Sequence, residues 1–134
     1  MTEGWQGDDY LILFDDADVV AFSQRYGLAS CVPGYEIIGL RGWDDFIVRN
    51  RQGELFSIPT VPLDAKYLVP LTLKLDARHL KADDRFRGKI KWYVKPIVFS
   101  GDASSPSNVA WIAIDQHVDL VNWWNKMYQN MAKS

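Results

Sequence analysis

The sequence predicts an α+β fold: a single domain over residues 1–134, with an antiparallel or mixed sheet of four to six strands, a short N-terminal helix and a C-terminal amphipathic helix. Three observations carry this expectation. Apolar residues recur at intervals of three and four near the two ends of the chain. Alternating or apolar β-prone segments occupy the middle, and clusters of Gly, Pro, Asn and Ser separate them at short intervals. Strands grouped between helices, without regular βαβ alternation, favour an antiparallel sheet with helices packed on it.

The first helix follows residues 10–14. Asp15, Asp16 and Asp18 suit a helix start and face the positive end of its dipole. Val19, Phe22 and Tyr26 then recur at helical spacing, and Gly27 supplies the stop. Pro33 and Gly34 mark a turn, after which residues 35–39 form a buried strand through Ile37 and Ile38. Residues 45–49 and 54–58 are two strands joined by Asn50, Arg51, Gln52 and Gly53. Phe46 and Val48 share one face, with Leu55 and Ser57 opposite, because side chains alternate along a strand. Pro59 and Pro62 deny two ladder donors, so residues 60–63 are an edge or a crossing loop. Leu71, Leu73 and Leu75 alternate with Thr72 and Lys74 as a half-buried strand. Residues 77–88 are polar, a short helix or a loop ended by Gly88. Residues 89–99 alternate again, Ile90, Trp92 and Val94 against Lys91, Tyr93 and Lys95. A turn-rich loop over 100–108 leads to a last strand at 109–114. Asp115 caps the final helix, in which Val118, Val121, Trp124, Tyr128 and Met131 form a stripe widened by Leu120 and Met127.

Composition narrows the function classes. The chain has 134 residues, enough for a core that needs no staples, and its single cysteine, Cys31, makes no intrachain disulfide. The first ten residues are acidic and lack the basic flank and apolar stretch of a signal peptide. The longest apolar run, 109–114, is far short of the ~20 residues of a spanning helix, so a cytoplasmic protein with no membrane partner is expected. The net charge of -2 conceals a split. Residues 1–65 hold 11 acidic and 4 basic side chains, residues 66–134 hold 6 acidic and 11 basic. The acidic half suits a basic partner, the basic half an anionic one.

Several groups have the chemistry of a site. Cys31 with His79 or His117 would be a thiol and its base, but no catalytic signature surrounds it, and a packed thiol beside the Pro33 turn accounts for it. Asp115, His117 and Asp119 carry metal-ligating atoms, yet residues two apart on a helix point about 200° apart and do not converge. The paired aspartates lack the spacing of a calcium loop. Neither catalytic residues, a metal nor a cofactor is expected. Segment 81–95 interleaves basic groups with Phe86, Trp92 and Tyr93, as single-strand nucleic-acid surfaces do; lysine at every second strand position is equally the solvated face of a sheet. Trp43 beside Asp44 and Asp45 is a recognition-type pairing of an aromatic ring with charge.

Two stretches resemble the SUKH superfamily, which includes many bacterial immunity proteins. The first runs from Val19 to Asp64, and Gly39, Trp43, Asp44, Asp45, Phe46, Gly53, Pro59 and Pro62 carry the likeness. The second comprises IKWYVKPIVFSGD and HVDLVNWWNKMY. The N-terminal helix departs from the family's proline-and-acid opening, with Asp15, Asp16, Ala17 and Asp18 in its place. The resemblance implies a single SUKH-like domain that is not an enzyme. It binds and neutralises a cognate toxin protein, in many members a nuclease. An acidic surface suits such a partner's basic cleft. The expected binding residues are Trp43, Asp44 and Asp45 as anchor, with Asp15, Asp16 and Glu54 as charge support. The alternative is a nucleic-acid-binding module using 81–95.

Overall fold

The computed structural model describes residues 2–7, 9–41, 45–71, 75, 77–95, 99–102 and 104–132. Strands β1 (Thr2–Gln6) and β2 (Asp9–Leu13) form a hairpin, followed by helix α1 (Asp16–Arg25) and the single turn α2 (Leu28–Cys31). Strands β3 (Glu36–Arg41), β4 (Asp45–Arg49), β5 (Leu55–Pro59) and the two-residue β6 (Val69–Pro70) complete a six-stranded sheet in the order β1-β2-β3-β4-β5-β6. Every neighbouring pair in it is antiparallel. Strands β7 (Lys89–Tyr93) and β8 (Val109–Ala113) make a separate antiparallel ribbon, and helix α3 (Ile114–Ala132) follows directly. This is the α+β architecture that the sequence predicts. No helix among the described residues is long and apolar enough to cross a membrane.

Local chemistry explains the elements that the patterning locates. Asp15 sits in extended backbone at the N-cap of α1, its carbonyl accepting the Asp18 and Val19 amides. Gly27, at φ +70°, breaks the helix where a side chain would be strained. In the β4–β5 hairpin the Asn50 side-chain oxygen accepts the Gln52 and Glu54 amides at 3.0 and 2.9 Å. The register there sets Phe46 against Ile58 and Val48 against Phe56, which leaves Leu55 and Ser57 beside Arg49 and Ile47 on the other face.

The N-terminal hairpin is absent from the sequence expectations. Glu3, Gly4 and Gln6 dilute its apolar pattern, and tertiary partners hold it. Trp5 lies opposite Tyr10, and both rings meet Trp111 edge-on at centroid distances of 6.1 and 5.6 Å. Backbone bonds in both directions tie Trp5 to Lys81.

Other expectations need correction. Val94 is 53% exposed rather than sharing the buried face of Ile90 and Trp92, because β7 ends at Tyr93 and the chain turns there. The rest of the expected 89–99 strand includes residues 96–98, outside the described residues. So are residues 72–74 of the expected 71–75 strand; the strand seen is β6. Segment 77–88 forms two 3-10 turns, Ala77–His79 and Asp84–Phe86. Asp115 does not cap α3. The helix starts at Ile114; Gln116 accepts the Ala113 amide at 3.2 Å, and Asp115 pairs with Arg25 at 2.9 Å. Leu120, Met127 and Met131 are exposed instead of widening the core stripe. His117 and Asn125 take buried positions beside Ile114, Val118 and Val121.

Those two polar residues stitch α3 to the body. Asn125 receives the Leu63 amide and donates to the Thr60 carbonyl, each at 2.8 Å, satisfying the buried crossing loop at 60–63. The His117 ring Nδ1 lies 2.7 Å from the Tyr26 hydroxyl of the α1 C-cap, with Trp92 edge-on at 4.9 Å.

Candidate protein-binding surface

Of the expected anchor residues, Asp45 opens β4 at one end of the main sheet. Residues 42–44, and therefore Trp43 and Asp44, lie outside the described residues. The strand residues that flank them are Arg41 and Asp45, direct partners across β3 and β4. On the next strand Asp9 accepts from Arg41 Nε at 3.1 Å, and the ion pair is mostly shielded, its side chains 29% and 21% exposed. One guanidinium thus stands between two carboxylates. Burial pushes the Asp45 carboxyl up to about 6; Arg41 opposes the rise and Asp9 adds to it. A carboxylate held part-way out of water beside another carboxylate is under-compensated, so an incoming cation gains more here than at an open acidic site.

Asp15, Asp16 and Glu54 lie elsewhere. Asp15 and Asp16 are exposed at the start of α1, on a cleft of about 290 Å³ floored by Leu13, Phe14, Val19 and Ile38 and flanked by Arg49. Arg49 closes β4 and is paired with Glu36 at 3.3 Å. Glu54 is exposed in the hairpin beyond Arg49, accepting from Asn50 at 3.2 Å. Asp45 and Arg49 are the two ends of β4, roughly 13 Å apart at the usual rise. The acidic set therefore does not converge: Asp9 and Asp45 share one patch, Asp15 and Asp16 line a separate cleft, and Glu54 stands in the hairpin. Sequence reading overlooked Asp9 and Arg41 as a unit. The available signal was the opposite charge of Arg41 and Asp45, on either side of residues 42–44.

The remaining candidates do other work. Burial pushes the Cys31 thiol up, the reverse of what a nucleophile requires, and its sulfur accepts from Gln129 Nε2 at 3.6 Å. His117 is buried on Tyr26 while Asp115 and Asp119 face solvent, and no cluster of three metal-ligating side chains occurs among the described residues. In segment 81–95, Arg85 is bonded to Asp83 and Arg87 to Asp84, at 2.8 and 2.6 Å. Hydrogen bonds from Arg85 and Trp5 hold the Asp83 carboxyl well below the usual carboxylate range. Its rings are turned inward: Trp92 and Tyr93 are buried, and Phe86 stacks on Trp111 at 3.9 Å. Base stacking needs those faces in solvent. Compared with known proteins, the chain matches no family model, no curated protein and no solved structure.

Proposed function

We propose that this chain is a non-enzymatic protein-binding domain, an immunity protein of SUKH type that binds and neutralises a cognate bacterial toxin in the cytoplasm. The observation that supports this most is the Asp9–Arg41–Asp45 arrangement, in which Arg41 is bonded to Asp9 and the half-buried Asp45 carboxylate is left under-compensated, next in sequence to Trp43 and Asp44. The acidic N-terminal half draws in a basic toxin, and a lysine or arginine of that toxin settles against Asp45, lowering its proton affinity as it docks. A nuclease, whose cleft is basic, is the toxin class with the matching charge. The test is co-expression with the product of the neighbouring gene, scored by survival and co-purification. Rescue that is lost in Asp45→Lys but kept in Glu54→Gln supports the reading. No binding and no rescue by the unaltered chain would overturn it.

A further inference from the structure

Helix α3 carries an apolar stripe that the fold does not use. Among the described residues eight large apolar side chains are exposed, and four of them, Leu120, Trp123, Met127 and Met131, follow one another on α3 at spacings of three, four and four. At the helical angle per residue they fall within an arc of about 80°, roughly 130° round from the buried row of Val118, Val121 and Asn125. The stripe continues over half-buried Trp124, whose ring lies 4.8 Å from those of both Trp123 and Phe99. A surface helix needs one apolar face, and α3 has a second. Single exposed apolar residues are ordinary, but a contiguous row with tryptophan and methionine has the composition of an interface core.

The charges beside the stripe select what covers it. Asp119 and Lys126 are exposed, about two turns apart on one flank of the stripe. Asp115 is taken by Arg25, whereas no ion pair among the described residues uses Asp119 or Lys126. In an antiparallel pair of identical helices each flank lies beside the same flank of its mate, read in the opposite direction. Minus-then-plus therefore meets plus-then-minus, and Asp119 and Lys126 of one copy pair with Lys126 and Asp119 of the other. The register that makes both pairs also sets Leu120 against Trp123 of the other copy and Met127 against its Gln116. Sliding the helices by one heptad would set Lys126 against Lys126, and a parallel pair would set both charges against Trp124 and Met131, so neither is favoured.

We propose that α3 packs antiparallel on α3 of a second copy of this chain, with Leu120, Trp123 and Met127 in the seam and two Asp119–Lys126 pairs beside it. The seam and its flanks bury roughly 500–600 Å² per copy, just past the ~1,000 Å² total that marks a specific interface, so the dimer forms on the order of tens of micromolar. It shares no residue with the Asp9–Arg41–Asp45 patch and does not rest on the toxin-binding reading.

Sedimentation equilibrium of the full chain from about 1 μM to about 1 mM tests the pairing. The expected result is a concentration-dependent dimer. Trp123 is 54% exposed, so Trp123→Glu keeps the fold, as urea denaturation verifies, and weakens the dimer about a hundredfold or more. Lys126→Glu sets like charges across the seam and weakens it about tenfold; Asp119→Lys together with Lys126→Glu restores it to within a few-fold. A chain monomeric at the highest concentration overturns the proposal, as does a dimer indifferent to Trp123→Glu or one that the double exchange fails to restore. A monomer that loses toxin neutralisation in Trp123→Glu assigns the stripe to the toxin, and one that binds phosphatidylcholine vesicles through Trp123 assigns it to a lipid surface; either result overturns the dimer.

Discussion

Replacing His117 with glutamine should tilt the pH dependence of stability in a direction fixed by where its proton goes. The ring is fully buried, Nδ1 meets the Tyr26 hydroxyl, and Nε2 has no hydrogen-bond partner among the described residues. A second proton would have no acceptor, and burial lowers the pKa from 6.5 to about 3. The unfolded chain takes up this proton below about pH 6.5 and the folded chain does not. The His117 contribution is therefore fully present above pH 6.5 and is lost at about 1.4 kcal/mol per unit as pH falls towards 3. Asp45 works the other way. Its folded pKa, about 6, lies above the ordinary aspartate value of 3.8, so the fold holds the extra proton and stability rises as pH falls through that window, by up to a similar slope. Between about pH 4 and 6 the two slopes nearly cancel in the unaltered chain. Urea denaturation at half-unit steps should show a shallow profile for the unaltered chain and rising stability towards pH 4 for His117→Gln. Asp45→Asn should fall over the same interval. The difference between the unaltered chain and His117→Gln should shrink by about 3 kcal/mol between pH 6.5 and 4. A difference that stays constant within about 1 kcal/mol would refute the assignment of a neutral, single-partner imidazole.

Asn125→Ala removes two buried hydrogen bonds at once and should cost about 2–4 kcal/mol in chemical denaturation; Asn125→Asp keeps the acceptor for Leu63 but sets a buried carboxylate oxygen against the Thr60 carbonyl, and should lose at least as much at neutral pH. Gly39→Ala places a methyl 2.8 Å from the Ile12 carbonyl and 2.9 Å from Leu13 Cδ2, at the irregularity in the β3–β4 pairing, and should destabilise by about 1–3 kcal/mol; a neutral effect would mean that the sheet yields there. Arg41→Gln withdraws the one positive charge that holds Asp45 down, so a carboxyl-carbon NMR titration should put the Asp45 midpoint above about 6, and an unchanged or lower midpoint contradicts the electrostatic account of the patch.

Much of the fold was legible because it rests on local rules. Gly27 stops α1 since its backbone is left-handed, the Asn50–Gly53 hairpin follows from side-chain bonds to neighbouring amides, and the α3 stripe follows from helical spacing around Val118 and Val121. The N-terminal hairpin was not legible. Its strands are held by Trp111 and Lys81, about a hundred and about seventy-five positions away, and no local pattern encodes a partner so distant. His117 and Asn125 were hidden for a related reason: a polar residue on an apolar helix face reads as a break until its buried mates, Tyr26 and the 60–63 carbonyl and amide, come into view.

By itself the sequence determined the α+β class, the ends of α1, the central hairpin and the unequal division of charge between the two halves, because each depends on residue type and short-range spacing. Tertiary structure alone decided how that charge is used. Sheet pairing gathers Asp9, Arg41 and Asp45 from three strands into one shielded patch, while the length of β2 separates Asp15 and Asp16 from it and the length of β4 separates Glu54. The same folding turns the rings of the basic segment inward. Charge is counted along the chain, but its desolvation and its neighbours are set by contacts between strands distant in sequence.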